Sequence, residues 1–391
     1  MRECDILIVG AGPAGSMAAR AAAPLCDVVV LEKRAQIGVP KQCAEGTSDM
    51  LFEKLNLPVD PKWVSRKIKF ARLVSPSGIK VDLKEEKFKQ LKFGYVLERK
   101  KFDKGLAEIA ARKGAEMFLR TRYLGTKREN RHLIVKARQF NTDFTFKTKI
   151  IIAADGIMSQ VARDMGINSV LDIRHLESCC QYEMTSVDRE DCIELYFGNE
   201  IAPKGYAWIF PKENDTANVG IGILPTKAPY PAKHYLDKFV KWLGLTGKIV
   251  EVNAGGVPVS GPLKKTYADN LLVVGDAGHM ANPITGGGIH TAMLSGNFAG
   301  QVAVDALKKG DVSEKTLRHY ETLWKAEFGR ELDLSFKGRF ILEEFTDQDF
   351  DDTARFMNEK GMGQLGAIDL VRFAIGKHPK FALKFASFLK P

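Results

Sequence analysis

The sequence predicts an α/β protein in which a nucleotide-binding domain is interleaved with an antiparallel-sheet domain and followed by a helical region. Two glycine-rich segments near opposite ends of the chain, residues 9–15 and 271–278, support this prediction because each follows an apolar, strand-like run. The third observation is that polar and apolar residues alternate in short runs over residues 178–222. Alternation of this kind indicates strands that bury one face.

The first glycine segment stands in the sequence order of a dinucleotide-binding motif. A buried strand over residues 4–9 precedes it, a helix of small residues over 13–23 follows, and the next strand ends at Glu32. This order fits such a site because the turn amides and the helix N-terminus bind a pyrophosphate. Glu32 is placed to accept hydrogen bonds from a ribose.

Three glycines of this turn have separate predicted roles. Gly10 permits the tight bend, Gly12 lets the backbone approach the pyrophosphate, and Gly15 lets the helix pack on the strand. The alternative is a glycine-rich turn that binds no nucleotide. The register of strand, helix and acid favours the nucleotide.

The second glycine segment predicts which nucleotide is bound. Asp276 follows a strand over residues 271–274, where a carboxylate can hold the ribityl hydroxyls of a flavin. A glycine run over residues 286–288 opens a helix whose amides can face the pyrimidine edge. The alternative is a surface loop capped by the aspartate. Together the two segments predict FAD in a Rossmann-like domain of the glutathione-reductase type.

The predicted domain boundaries follow from this arrangement. The FAD-binding domain comprises residues 1–75, 99–175 and 266–310, the substrate domain comprises an insert at 76–98 and the antiparallel part at 176–265, and the helical C-terminal region covers 311–391.

Composition restricts the partners that the chain can have. Among 391 residues there are 58 Lys and Arg against 48 Asp and Glu, a formal net charge of +10. Such an excess suits a phosphate-bearing substrate or an anionic membrane surface. The sequence has no RNA-binding aromatic motif and no zinc finger, so we expect no nucleic-acid partner and no metal.

Cysteine usage and apolar runs predict the compartment. The six cysteines include no C-x-x-C pair and no disulfide-framework spacing, which favours a reducing cytosol. The N-terminal apolar run lacks a basic leader and contains the first glycine motif, so it does not read as a signal peptide. No stretch reaches the roughly 18–20 apolar residues of a membrane span. We expect a protein that is cytoplasmic or that contacts the inner face of the membrane peripherally.

A cysteine-bearing segment over residues 34–46 resembles the corresponding loop of the geranylgeranyl reductase family. The resemblance covers nearly the whole chain and fades after about residue 340. Its most specific parts are the cysteine loop and the Tyr-x-Trp-x-Phe-Pro run. Further matching segments are residues 95–99, 102–104, 153–156, 205–212 and 275–289.

The resemblance implies a set of cofactor contacts. At position 123 the residue type differs from that of the family, so there only the backbone can carry the role over. The loop reads Cys-Ala-Glu-Gly where the family has Cys-Gly-Glu-Gly, and alanine tolerates positive φ less well than glycine. The implied FAD contacts are Ala14, Glu32, Cys43, Ala44, Gly46, Arg99, Tyr123, Asp276, Gly288 and Ile289.

Cys43 is the candidate catalytic residue, as a proton relay beside the flavin, with Glu45 as the second candidate. The alternative is an inert buried thiol, which is the common case in reduced proteins. Cys179, Cys180 and Cys192 lie in the strand-like middle of the chain, and we expect them to be ordinary core residues.

Tyr206, Trp208 and Phe210 share one face of an extended segment because side chains alternate along a strand. The resemblance implies that this face binds the substrate by lining a tunnel for a polyprenyl chain. Ordinary core packing is the alternative.

A stripe near the C-terminus combines apolar and basic residues at helical spacing, which is typical of a helix that lies on an anionic membrane. Packing onto the protein itself is the alternative. The stripe consists of Phe381, Phe385, Phe388 and Leu389, flanked by Lys380, Lys384 and Lys390.

The resemblance implies FAD-dependent reduction of isolated double bonds in geranylgeranyl chains, on an archaeal ether-linked glycerophospholipid. We expect protonation of the less substituted carbon and hydride delivery from reduced flavin N5. The electron donor is a ferredoxin, a deazaflavin or NAD(P)H, and the lack of a second dinucleotide motif disfavours the last. The alternatives are a flavin monooxygenase or halogenase, or a prenyl-binding protein without catalysis.

Overall fold

The computed structural model describes residues 1–84, 94–360, 373, 376 and 377. They divide into two compact units. Unit 1 comprises Met1–Lys41, Glu98–His175 and Val257–Phe336, and unit 2 comprises the described residues of Gln42–Leu97, Leu176–Gly256 and Lys337–Pro391. The domain boundaries given above stay a prediction.

The strands, in chain order, are β1 (Arg2–Val9), β2 (Val28–Leu31), β3 (Gly46–Ser48), β4 (Val64–Lys67), β5 (Phe70–Val74), β6 (Lys80–Lys84), β7 (Gly94–Leu97), β8 (Glu116–Phe118), β9 (Thr121–Glu129), β10 (His132–Gln139), β11 (Thr142–Ala153), β12 (Leu176–Met184), β13 (Cys192–Tyr196), β14 (Tyr206–Pro211), β15 (Ala217–Ile223), β16 (Ile249–Pro258), β17 (Tyr267–Ala268) and β18 (Leu271–Val273).

The α-helices are α1 (Pro13–Ala22), α2 (Asp49–Lys54), α3 (Arg99–Arg112), α4 (Gln160–Asp164), α5 (Ala232–Trp242), α6 (Ile289–Lys309), α7 (Glu314–Leu317), α8 (His319–Trp324), α9 (Arg330–Leu342) and α10 (Asp347–Lys360).

Unit 1 is built on a sheet in the order β17-β18-β11-β1-β2-β8. Its central strands β18, β11, β1 and β2 run parallel. Strands β9 and β10 form an antiparallel pair, and β10 also pairs antiparallel with β11. The central strands carry continuous apolar runs because both faces of a parallel sheet are covered. The predicted Rossmann-like α/β fold is confirmed, including the return of the chain to the first sheet at β18.

Helices α1 and α6 pack closely because glycines replace larger side chains at their contact. A Cβ atom at Gly296 would lie 2.0 Å from the carbonyl oxygen of Ala14, and one at Gly300 would lie 2.4 Å from that of Ala18. This close approach fixes the N-terminal ends of both helices relative to the parallel strands.

Unit 2 contains a seven-stranded sheet in the order β16-β12-β15-β14-β13-β5-β6. Neighbouring strands from β12 to β13 pair antiparallel, which confirms the prediction for residues 178–222, whereas β13 and β5 pair parallel. Helix α5 covers one face, where Leu236 and Phe239 join a core with residues such as Ile209 and Ile221. A separate three-stranded sheet has the order β3-β7-β4.

The remaining expectations concern helices. Helices α9 and α10 agree with a helical C-terminal region, but the aromatic and lysine stripe of residues 380–390 lies outside the described residues. Within the part of the chain that the structure describes, no helix combines the length and the apolar character needed to cross a bilayer.

Candidate active site

The glycine turn after β1 shows what each of its three glycines contributes. Gly10 has φ +104°, and a Cβ there would lie 2.2 Å from the carbonyl oxygen of Ala154. A Cβ at Gly15 would lie 1.9 Å from the Gly10 oxygen. A Cβ at Gly12 would meet nothing within 4 Å, and the φ of −70° at this position suits any residue. Gly10 and Gly15 therefore serve the packing of the chain, and Gly12 leaves open space at the start of α1 where a pyrophosphate would fit.

Glu32 stands beside this turn, as the motif requires. Its carboxylate accepts the backbone N–H of Ala11 at 3.0 Å and that of Arg34 at 2.9 Å. Each carboxylate oxygen can accept a further hydrogen bond, so the group is oriented by the protein and still able to bind a ribose hydroxyl.

Asp276 and the start of α6 form the second half of the candidate nucleotide site. Asp276 follows β18 in a tight turn, and burial raises the pKa of its carboxyl while the charge of Arg99 lowers it. A Cβ at Gly288 would lie 3.3 Å from Asp276 Oδ1, and α6 begins at the next residue, Ile289. A Cβ at Gly275 would lie 3.0 Å from that of Ala14. The structure thus brings the two distant glycine segments together in unit 1.

The side chains of two further residues predicted to contact the cofactor interact with neighbouring carboxylates in unit 1. Arg99, at the start of α3, forms a bidentate ion pair with Asp103, at 2.7 and 2.9 Å. The Tyr123 side chain is buried, and its hydroxyl donates to Asp164 at 3.0 Å. A backbone role for Tyr123 is the one that remains compatible with this arrangement.

The aromatic residues of β14 alternate as predicted. Ala207 and Ile209 belong to the core under α5, so Tyr206, Trp208 and Phe210 lie on the opposite face of the sheet. The rings of Tyr206 and Trp208 are 5.8 Å apart. We call this side of the sheet the aromatic face.

Two glycines of β15 shape the aromatic face, and the predicted site residues did not include them. A Cβ at Gly220 would lie 2.3 Å from Trp208 Cε2, so the indole ring lies directly against this strand. A Cβ at Gly222 would meet Glu177 Oε2 and Cys179 Sγ, each at 3.3 Å. Glycines two residues apart in a strand share a face, and this spacing was the signal available in the sequence.

Gln181 links the aromatic face to the cysteine loop of residues 43–46. It accepts the indole N–H of Trp208 at 2.9 Å, and its amide donates to the Cys43 carbonyl at 3.1 Å. A Cβ at Gly46 would lie 2.7 Å from the Phe210 ring. The loop is therefore held against the aromatic face.

A buried charge network fixes the same loop. Glu45 is 1% exposed and pairs with the Lys212 ammonium, 3% exposed, at 3.0 Å. Asn218 donates to Glu45 Oε2 at 2.7 Å, and Lys212 also contacts Glu183 at 3.3 Å. The left-handed residue of the loop is Glu45, with φ +79°, and not Ala44, which explains why alanine is accepted there.

The three cysteines in the sheet of unit 2 divide between its two faces. Cys180 and Cys192 are buried, and Cys180 belongs to the core under α5, as expected for ordinary core residues. Cys179 instead lies on the aromatic face beside Gly222. The alternation of β12 separates the two adjacent cysteines in this way.

Two protein families and several known proteins match this chain. Residues 3–177 match the FAD binding domain family, which confirms the predicted cofactor, and residues 175–257 match the geranylgeranyl reductase catalytic domain family. The chain is 41% identical to digeranylgeranylglycerophospholipid reductase 1 of Methanothermobacter thermautotrophicus, over 98% of this chain and 97% of that protein.

Solved structures agree. A geranylgeranyl bacteriochlorophyll reductase-like protein from Thermoplasma acidophilum superposes with a TM-score of 0.92 at 34% identity and covers 100% of both chains. The flavin-dependent halogenase CmlS superposes with a TM-score of 0.70 at 17% identity, over 97% of this chain and 71% of that chain. The second likeness shows a shared fold alone.

Proposed function

Because this chain belongs to the digeranylgeranylglycerophospholipid reductase family, we propose that it reduces carbon–carbon double bonds in the geranylgeranyl chains of archaeal ether glycerophospholipids. The observation that carries the proposal is 41% identity to such a reductase over 98% of the chain. The aromatic face in unit 2, within the matched catalytic domain, supports it because an isoprenoid chain is apolar along its whole length.

The nucleotide site of unit 1 would hold the FAD that supplies hydride when it is bound. We propose that the open backbone at Gly12 and the first amides of α1 bind the pyrophosphate. Glu32 would bind a ribose, Asp276 the ribityl hydroxyls, and the amides at Gly288 and Ile289 the pyrimidine edge. Ala14, Arg99, the backbone of Tyr123, and the loop residues Cys43, Ala44 and Gly46 stay proposed contacts on the strength of the resemblance.

The aromatic face would bind and orient the substrate. We propose that an isoprenoid segment lies along Tyr206, Trp208 and Phe210, where burial of each alkene away from water would favour binding. Positioning is a large part of catalysis when the reacting group offers no polar handle, as an isolated alkene does not.

Cys43 is the proposed proton relay. Reduction of an alkene takes up one hydride and one proton. An isolated trisubstituted alkene has no carbonyl to accept the developing charge, so the proton must be delivered to an alkene carbon. The thiol lies on a loop that Gln181 and Asn218 hold against the aromatic face. Glu45, the second candidate, accepts hydrogen bonds from Lys212 and Asn218, and these bonds give it a structural role in the loop.

The partners and the location follow from the same chemistry. We propose an external electron donor, either a ferredoxin or a deazaflavin, since the sequence offers no second dinucleotide motif for NAD(P)H. We also propose a cytoplasmic protein that touches the inner face of the membrane peripherally. The C-terminal stripe, with its lysines, is the proposed contact.

Incubation of the chemically reduced protein with a digeranylgeranylglycerophospholipid, followed by mass spectrometry of the lipid, tests the proposal. We expect the mass to rise by two hydrogens for each double bond reduced. An unchanged lipid, from protein that has bound and retained FAD, would contradict it. Oxygen uptake with a hydroxylated product would indicate a monooxygenase instead.

A further inference from the structure

Glu177 is a buried carboxyl group on the aromatic face that the chemistry above does not use. It is 6% exposed. In β12 the side chains of Glu177, Cys179 and Gln181 lie on the same face of the sheet. Its Oε2 atom and Cys179 Sγ each lie 3.3 Å from the Cβ position of Gly222, and Trp208 Cζ3 lies 3.7 Å from that position. The missing side chain at Gly222 thus leaves room in which an acid, a thiol and the indole edge converge.

Cys43 and Tyr206 belong to the same neighbourhood. The pKa of the Cys179 thiol is raised by burial and further by the charges of Glu177 and Cys43, and the same two groups act on the Tyr206 hydroxyl. Gln181, which lies on the same face of β12 as Glu177 and Cys179, donates to the Cys43 carbonyl at 3.1 Å. The cysteine loop therefore meets the face of the sheet that carries Glu177.

Two buried glutamates of unit 2 differ in what surrounds them. Glu45 is ion-paired with Lys212 and accepts a hydrogen bond from Asn218, so its buried carboxyl has polar partners. Among the described residues, no hydrogen bond and no ion pair is formed by the Glu177 side chain. Burial raises the pKa of Glu177 to about 7. The charge of Arg339 acts to lower this pKa, and the charge of Glu343 acts to raise it. A carboxyl in this setting holds a proton near neutral pH and can release it.

We infer that Glu177 is the proton source for the reduction, and that the Cys43 thiol passes its proton to the alkene. In the transfer the S–H bond of Cys43 breaks and a C–H bond forms at one alkene carbon. The FAD, when bound and reduced, would supply the hydride for the other carbon. The thiolate then takes the proton of Glu177, and the carboxylate regains a proton from water.

This inference rests on the proposed function, and it predicts a particular pH dependence. Reduction by the wild type should fall as the pH rises above about 7, where Glu177 ionises. Within the described part of the chain, the charged and titratable groups that act on Glu177, or on which it acts, are Arg339, Glu343, Cys179 and Tyr206. The pKa values of the two last are raised, so they stay protonated through this range. Burial also raises the pKa of Glu343, so this residue is the alternative proton source that the variants must distinguish from Glu177.

The decisive variant is Glu177→Gln, which keeps the size of the side chain and removes its acidity. We expect turnover to fall by roughly 100-fold, the usual contribution of a proton donor, and the loss of activity above pH 7 to disappear. FAD content should be unchanged. Glu343→Gln should keep that loss of activity and move it to lower pH, because Glu343 raises the pKa of Glu177.

Glu194→Gln is the matched control. Glu194 is 5% exposed and pairs across the sheet with Ile209, so it lies on the opposite face. This variant should keep both the turnover per bound FAD and the pH profile of the wild type. An unchanged pH profile in Glu177→Gln would overturn the inference alone, whereas a wild type that reduces no double bond would overturn the proposed function with it.

A second readout needs no activity. A carboxyl whose pKa is raised by folding contributes stability below its unfolded pKa, and this stability is lost as the pH rises through the folded value. The Tm of the wild type should therefore fall relative to that of Glu177→Gln between pH 5 and pH 8. A constant difference between the two Tm values would overturn the inference, because Glu177 would then be ionised like an ordinary surface acid.

Discussion

The nucleotide site of unit 1 and the aromatic face of unit 2 are built from different materials. The first is made mainly of backbone, at glycines where any Cβ would strike a carbonyl oxygen, as at Gly10 and Gly15. The second is made of side chains that fill the space left by glycines, as the Trp208 ring does at Gly220. A backbone site suits any nucleotide with the same phosphates, whereas a side-chain site is specific to its substrate.

The two matching protein families divide the chain in the same way. Residues 3–177 match the FAD binding domain family, and residues 175–257, which include the aromatic face, match the geranylgeranyl reductase catalytic domain family. Changes in unit 1 should therefore affect the cofactor, and changes on the aromatic face should affect reduction while FAD stays bound.

The largest expected effect comes from Gly10→Ala in unit 1. A Cβ there is 2.2 Å from the Ala154 oxygen at a φ of +104°, so we expect a loss of more than about 4 kcal/mol in the free energy of unfolding, and colourless protein. Gly12→Ala is the matched control, since its Cβ meets nothing within 4 Å. It should fold normally and bind FAD more weakly. Thermal unfolding and flavin absorbance measure both, and tight FAD binding by Gly12→Ala would contradict the proposed pyrophosphate position.

Lys212→Met should be nearly as destabilising in unit 2. It leaves Glu45 and Glu183 without the ammonium that they share, and breaking a buried ion pair from one side costs roughly 3–5 kcal/mol. Urea unfolding measures the loss. Arg138→Met removes an ion pair whose side chains are 52% and 65% exposed and should leave the midpoint unchanged. Equal midpoints for all three proteins would contradict the structural role given to the network.

Cys43→Ala separates catalysis from cofactor binding. We expect turnover to fall by about 100-fold, because a positioned proton relay is lost, while the protein stays yellow. Steady-state reduction and the flavin spectrum of the same preparation provide the measurement. Full activity in this variant would remove Cys43 from the chemistry and leave it a structural thiol.

Gly220→Ala sharpens the description of the aromatic face. The new methyl group would lie 2.3 Å from the Trp208 ring, so the ring must move, at a cost of about 1–3 kcal/mol. Reduction should weaken through a higher KM for the lipid, with FAD content unchanged. A wild-type KM together with altered tryptophan fluorescence would show that Trp208 does not bind the substrate.

The smallest effect concerns the membrane. Deletion of the residues after Pro379 removes the stripe of phenylalanines and lysines, and it should abolish salt-sensitive binding to anionic liposomes while reduction of detergent-solubilised lipid continues. Co-sedimentation at low and high salt measures the binding. Binding that survives the deletion would assign the contact to another part of the chain.

The fold and the cofactor could be predicted because their signals are local in the sequence. A strand, a glycine turn, a helix and Glu32 lie within one short segment, and Asp276 directly follows its own strand. The alternation of Tyr206, Trp208 and Phe210 was local in the same way.

The rest depended on register between distant strands. Cys179 pairs with Gly222 across β12 and β15, and this pairing brings Glu177 to the edge of Trp208. The sequence around Glu177 and around Trp208 contains no signal that these two residues lie close together. The loop conformation was also beyond local reasoning. Its left-handed residue is Glu45, which is held by Lys212, directly after β14, and by Asn218 of β15.

The most direct test of the central claim is an anaerobic single turnover followed through the flavin absorbance. Protein with bound FAD is reduced, freed of excess reductant and mixed with a digeranylgeranylglycerophospholipid. We predict that the oxidised flavin spectrum returns with one double bond lost for each FAD. A flavin that stays reduced in the presence of the lipid, or protein that takes up no FAD at all, would contradict the account.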